Sequence, residues 1–338
     1  MAQAHRFGAG LRPFACRRSH HATGAFEEMP RCRFLFVADL GDPISCIHVN
    51  DIGCMAGTML GKVWLFSFDS KQIEMLTAFS EEGIRGLFLD EESGLATISE
   101  GCRCWRRASP NMFTGNLNFR SLERRNTQNV KHVLQRGQLA CILFPITSTV
   151  VDVVKQEHRQ YPFRLFDFGS PQEVAPFDFD GESLIVVDRS RLARCPVYRI
   201  VQLESNEHVE VSSLPKGTSA TQMKLWAKDF LVYVLGGSTL YVYDYKRTDL
   251  RFELRGHRAE ITAIDAQDDV IIASLSLDAE VKLWNGHTGV CMRTVYVPEA
   301  SFFMGFPYFL CVRDRSILIS ADEGVYLLEL EAVEEAVP

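Results

Sequence analysis

The chain has 338 residues, of which 46% are hydrophobic and 23% charged, a balance that buries a real core and excludes a chain-wide disordered or fibrous protein. The longest apolar run, Phe302–Val312, is interrupted by Gly305 and Pro307 and is too short to span a bilayer, so no membrane insertion is expected. With 36 Lys and Arg against 43 Asp and Glu, the net charge of −7 makes no bulk case for nucleic-acid binding.

Residues 1–26 carry Arg6, Arg12, Arg17 and Arg18 and no acid. Such a start matches a mitochondrial presequence, yet Gly8, Gly10 and Pro13 break the helix that a presequence forms. Residues 1–30 are therefore read as a flexible basic arm of an intracellular, cytoplasmic chain, with the mitochondrion as the alternative address. The ten cysteines follow no apolar signal peptide, contain no C-x-x-C and match no Cys/His ligand spacing. They read as buried, unreactive thiols of a reducing compartment, and no metal or cofactor is expected.

No long amphipathic helix emerges along the chain. Short runs rich in Val, Ile, Leu, Phe and Tyr recur instead, among them Phe34–Ala38, Val63–Phe68, Leu139–Phe144, Leu184–Val187, Phe230–Leu235, Leu240–Tyr243, Val281–Trp284, Phe309–Val312 and Val325–Leu330. Gly, Asp, Asn and Pro separate them. Many short strands with regular turn signals mean a sandwich, a barrel or a propeller, and the period decides among these. One unit reads in full. It runs from Gly256-His257 through Ile261–Ile264, a turn, Val270–Ser276, a tight turn at Asp278-Ala279, and Val281–Trp284 with Asn285, ending near Gly289.

This stretch resembles a WD40 repeat. It has the Gly-His dipeptide, "ASLSLD" and "VKLW", with Asn285 where the family usually has Asp. Positions equivalent to Trp284 fall at Phe66, Trp105, Val153, Tyr198, Tyr243 and Leu328, with spacings of 39 to 48 residues. The expected fold is all-β, a seven-bladed WD40-like propeller over 31–332 with an acidic tail at 333–338. The last unit lacks a fourth strand, and Arg33–Ala38 is expected to supply it by pairing with Val325–Leu330, closing the ring. The resemblance further implies a buried relay of His257, Ser274, Asp278 and Trp284. In it Ser274 accepts from the indole and bonds the imidazole, while Asp278 accepts from the other ring nitrogen. A Ser/His/Asp hydrolase is the competing reading of the same trio, and no G-x-S-x-G elbow accompanies it. The other units lack this set and are expected to hold by apolar packing.

Residues 103–136 contain eight Lys and Arg and one acid, Glu123. A long insertion is expected over about 106–129, with Arg106, Arg107, Arg120, Arg124 and Arg125 set among Met112, Phe113, Leu117 and Phe119. That segment would grip RNA by phosphate contact and stacking, or an acidic protein surface. WD40 proteins commonly dock partners around the central channel. By register Glu260, Thr262 and Leu277 point there, with Arg85 and Lys131 at the Thr262 position of other units and Leu277 as an exposed apolar anchor. The functional expectation is a non-catalytic scaffold or adaptor that binds other proteins within a multi-subunit complex. The alternatives are an RNA- or ribonucleoprotein-binding propeller and, more remotely, an enzyme with a central-channel site.

Overall fold

The computed structural model describes residues 32–49, 53–67, 72–78, 83–84, 86–89, 93–98, 101–109, 112–116, 132–136, 139–143, 148–152, 157–161, 178–188, 197–205, 207–211, 220–227, 229–267, 271–297, 309–313, 316–321 and 324–330. These residues are all-β: their strands form antiparallel sheets and no helix occurs among them.

Seven sheets follow one another along the chain. β1 (Cys32–Asp39) stands apart at the start. The first sheet holds β2 (Ile44–Val49), β3 (Gly53–Thr58), β4 (Lys62–Ser67) and β5 (Ile73–Ala78). The second holds β6 (Gly86–Leu89), β7 (Ser93–Ile98), β8 (Gly101–Ser109) and β9 (Met112–Asn116), and the third β10 (His132–Arg136), β11 (Leu139–Leu143), β12 (Ser148–Asp152) and β13 (Glu157–Tyr161). The fourth has β14 (Ser183–Asp188), β15 (Val197–Gln202) and β16 (His208–Glu210), with a bridge from Phe179 to Leu184 where a first strand would lie. The fifth has β17 (Gln222–Trp226), β18 (Phe230–Val234), β19 (Thr239–Asp244) and β20 (Asp249–Arg255). The sixth has β21 (Ile261–Gln267), β22 (Ile271–Ser276), β23 (Glu280–Asn285) and β24 (Cys291–Tyr296). The seventh joins β25 (Phe309–Arg313), β26 (Ser316–Ala321) and β27 (Gly324–Leu330) to β1, which pairs antiparallel with β27 from Cys32↔Leu330 to Asp39↔Gly324.

The strand from the beginning of the chain thus completes the last sheet. Without it β27 would present an open row of N–H and C=O groups.

Burial explains the composition of each strand. Three second strands, β3, β18 and β22, are covered on both faces, so β3 is buried throughout and β18 and β22 nearly so, and none alternates. The outer strand β20 is mostly exposed and alternates Asp249, Arg251, Glu253 and Arg255, a charged edge that discourages pairing with other chains.

Between sheets the core is apolar. Val232, Val242, Ile264, Ile272 and Trp284 fill the space between the fifth and sixth sheets. Leu275, Leu283, Leu310 and Ile319 fill that between the sixth and seventh. Leu40, Cys54, Phe66, Leu318 and Leu327 join the seventh to the first, and Met55, Leu65 and Leu87 join the first to the second. β6 neighbours β10, and Cys141 of β11 shares a cluster with Leu184, Ile200, Leu225 and Tyr243 of the fourth and fifth sheets.

Phe66, Trp105, Tyr243, Trp284 and Leu328 all lie in third strands. Tyr198 lies in β15, but Val201 occupies the Trp284 register there, because Gln202 takes the N–H···O=C position of Asn285. Of the expected insertion over 106–129, residues 106–109 and 112–116 are instead strand: Arg106 and Arg107 belong to β8 and pair with Thr114 and Phe113 of β9 in a hairpin, and 117–129 lie outside the described residues. Val153, Arg120, Arg124, Arg125, the arm 1–30 and the tail 333–338 lie outside the described residues.

Candidate functional site

The sixth sheet carries the polar constellation. The Trp284 indole donates to Ser274 Oγ at 2.9 Å, and Ser274 Oγ lies 2.7 Å from His257 Nε2. On the far side of the ring, Nδ1 lies 2.8 Å from Ser276 Oγ, which donates to Asp278 Oδ1 at 2.6 Å. Counting donors assigns the protons. Ser274 accepts from the indole, so its hydroxyl proton is directed at Nε2. Ser276 gives its proton to Asp278, so Nδ1–H donates to Ser276.

Asp278 therefore reaches the imidazole through Ser276 and not directly. The expected Asp–His bond is replaced by a two-step path because Ser276, two residues along β22 from Ser274 and so on the same face, bonds both the ring and Asp278.

Burial pushes the His257 pKa down from 6.5 to about 4. Glu280 opposes the shift and Lys282 adds to it. The ring is thus neutral near pH 7, as the donor count requires. Glu280 Oε2 approaches Nδ1 to 3.2 Å without the alignment of a hydrogen bond. Its other oxygen accepts from the Tyr296 hydroxyl at 3.1 Å and lies 3.2 Å from Lys282 Nζ, which donates to Thr294 Oγ1 at 2.9 Å. Ser274, Ser276 and the His257 side chain are all buried. Ser274 Oγ is thus committed on both sides, to the indole and to the imidazole.

The first sheet answers four of the relay positions with apolar residues and keeps a polar one, the buried Thr58, at the Ser276 position, where its hydroxyl oxygen accepts from Lys62 N–H. Relative to the tight turn, Ala56 stands at the Ser274 position, Phe66 at Trp284 and Leu60 at Asp278, while Leu40 replaces His257 ahead of the first strand. Leu40, Ala56 and Phe66 are buried in one cluster with Val325 and Leu327. Apolar packing does there what the relay does in the sixth sheet. The two turns share their backbone. Gly61 N–H donates to Thr58 O and Ala279 N–H to Ser276 O, with φ of +80° and +62° at the two left-handed residues.

Asp178, just ahead of the fourth sheet, and Asp265 of β21 form a second polar device. Asp178 Oδ2 accepts from Leu225 N–H at 2.9 Å, and Asp265 Oδ2 from Val312 N–H at 2.8 Å. Each carboxylate so ties its own sheet to the next. Lys224 Nζ stands between them, 3.4 Å from Asp178 Oδ1 and 3.3 Å from Asp265 Oδ1. One ammonium and two buried carboxylates link the fourth, fifth, sixth and seventh sheets. Sequence reasoning missed this clasp. Its signal is a charged residue centred in otherwise apolar first strands, one repeat apart.

The residues expected to meet a partner are only partly assembled. The Glu260 carbonyl accepts from Leu277 N–H at 2.9 Å, its side chain is exposed, and the Thr262 hydroxyl donates to Leu275 O at 3.3 Å. Leu277 is not an exposed anchor: it is half-buried against the core between the sixth and seventh sheets. Exposed apolar side chains stand at the same turn of the first sheet, where Met59 and Leu60 project to solvent. Arg85 and Lys131 lie outside the described residues.

Cys46, Cys54 and Cys141 are buried, and burial raises all three thiols, Cys46 and Cys54 to about 12, so they do not form thiolates near neutrality. Among the described residues no group of three or more His, Cys, Asp or Glu is placed to hold a metal, and no helix is long and apolar enough to cross a membrane.

No protein-family model and no curated protein matches the chain. Among solved structures it is similar to the computationally designed Ika8 protein, with 11% sequence identity and a TM-score of 0.61 over 86% of this chain and 96% of that one. At that identity the likeness concerns fold alone.

Proposed function

We propose that the chain is a seven-bladed, WD40-like propeller that serves as a non-catalytic scaffold and presents turns and faces to protein partners. The observation that carries the reading is the fate of Ser274, His257 and Asp278. Each is engaged in bonds internal to one sheet, with Ser274 beneath a tryptophan and the imidazole held neutral. Side chains that would make a hydrolase instead fasten a turn. The blade reading draws on the seven consecutive sheets, on apolar clusters between successive sheets and from the seventh back to the first, and on β1 pairing with β27. A rigid frame of that kind positions loops without chemistry of its own. The exposed Met59–Leu60 turn is the best apolar contact point among the described residues.

The test is purification of the full chain from native cells, with and without ribonuclease, followed by mass spectrometry and sequencing of the mature amino terminus. Partners that survive ribonuclease and are lost with M59S/L60S support the scaffold. Partners released by ribonuclease transfer the function to RNA. A chain recovered alone removes the scaffold reading.

A further inference from the structure

Among the tyrosines whose side chains are described, Tyr198, Tyr233, Tyr243, Tyr245 and Tyr326 are buried and Tyr241 is half-buried, whereas Tyr296 is 53% exposed. It ends β24, the outer strand of the sixth sheet, so its backbone is extended and one edge faces away from the sheet. Its hydroxyl turns inward. It donates to Glu280 Oε1 at 3.1 Å, and the Glu280 side chain is 4% exposed. The same carboxylate meets Lys282 Nζ at 3.2 Å and, through Oε2, His257 Nδ1 at 3.2 Å. An accessible phenol is therefore wired to the buried relay and, through Ser276 and Asp278, to the tight turn at 277–279. Arg258 and Asp278 both bear electrostatically on that hydroxyl.

We infer that Tyr296 is a phosphorylation site whose phosphate unlatches Glu280 and loosens the turn of the sixth sheet. A tyrosine kinase using ATP supplies the group. The phenolic oxygen forms the new O–P bond, the bond between the γ-phosphorus and the β-γ bridging oxygen breaks to leave ADP, and the phenolic proton passes to the kinase's base. Two things then change at Glu280. It loses the hydroxyl donor, and it faces roughly −1.5 to −2 charges of phosphate at neutral pH. The repulsion drives the phosphotyrosine outward and away from the Glu280–Lys282 pair, where the exposed Arg258, which bears electrostatically on that hydroxyl, is a cation it can meet. The extended, edge-strand setting suits a kinase, which needs an accessible backbone. The effect on the fold does not depend on the scaffold reading, since it is measured on the chain alone.

The experiment treats the folded full-length protein with a broad-specificity recombinant tyrosine kinase and magnesium ATP, maps the product by mass spectrometry, and follows amide hydrogen exchange over 274–282. Phosphorylation at Tyr296 is expected in wild type and not in Y296F, with exchange at 276–280 at least tenfold faster than in either unmodified wild type or Y296F. In E280Q, which has no charge to repel, Tyr296 is still phosphorylated and the acceleration falls to under threefold. The inference fails if the folded chain is not modified at Tyr296 while its urea-unfolded form is, if modification leaves exchange unchanged, or if E280Q responds as wild type does. Loss of partners from the unmodified protein would count against the scaffold and leave these results standing.

Discussion

Replacing Ser274 by Ala isolates the relay. The change removes one oxygen and almost no volume, so packing contributes little. It strips the acceptor from the Trp284 indole, 2.9 Å away, and the donor from His257 Nε2, 2.7 Å away. Both groups are buried, and water does not replace the lost partner. A buried donor or acceptor left unpaired costs about 1–3 kcal/mol, so S274A is expected to lose about 2–4 kcal/mol. The first sheet supplies the control, because it fills the corresponding positions with Leu40, Ala56 and Phe66. The triple variant H257L/S274A/W284F copies that set and leaves no orphaned polar atom among the three. Its cost is expected to fall below the sum of the three single variants by about 1.5 kcal/mol or more, the coupling of residues that share one network. Urea unfolding followed by tryptophan fluorescence and far-ultraviolet circular dichroism measures this, since a single free energy is defined where the two probes coincide. A loss below about 0.5 kcal/mol for S274A, or three single costs that simply add, would refute the account of the relay as a closed buried network.

Acid should unfasten the same site. With the His257 pKa at about 4 in the folded protein and 6.5 as its ordinary value, the unfolded chain binds more protons between those limits. Stability therefore rises with pH across that window and is lost on acidification, by up to about 3 kcal/mol, and H257L should flatten this part of the pH–stability curve. At the inner clasp, K224M leaves Asp178 and Asp265 facing each other without a cation, at an expected cost of about 3 kcal/mol. Adding D178N and D265N should return part of the thermal midpoint; a midpoint unchanged by K224M would show that the ammonium contributes nothing.

How legible the molecule was in its sequence depended on the kind of force at each place. The sixth sheet announced itself because a relay needs particular donors and acceptors at set spacings, and "GH…ASLSLD…VKLWN" displays them. Ser276 and Glu280 were overlooked within that same stretch, since a second serine and a glutamate look like ordinary turn and strand residues until the fold brings them beside the ring. Phe66 and Leu328 could be placed because a large apolar residue recurs at the same distance from each turn. The fourth sheet shifted the count: its β14 and β15 are separated by residues 189–196, longer than the tight turns elsewhere, so an even spacing lands on Tyr198 and misses Val201. The clasp left almost no local trace. Its partners lie 46 and 41 residues apart on different sheets and meet only in three dimensions.

The distribution of these devices has a physical logic. Among the described residues, polar links tie the first sheet to the segment ahead of the second, the fourth to the fifth and the sixth to the seventh, with partners about one repeat apart, so consecutive sheets meet early at small loop cost. The seam between the seventh and first sheets is different. Beside it the β1–β27 ladder of the seventh sheet joins Cys32 to Leu330 and Asp39 to Gly324, the largest sequence separation among the described pairs, and the seam's side-chain cement is the apolar set of Leu40, Ile44, Phe66, Leu318, Val325 and Leu327. Apolar burial is non-directional and gains free energy from an approximate fit, whereas a buried hydrogen-bond network is costly until every member is aligned. A seam that must be found across nearly the whole chain is better served by the first. A relay like that of the sixth sheet at this position would expose half-satisfied polar groups throughout the search, so Leu40, Ala56 and Phe66 suit the topology there.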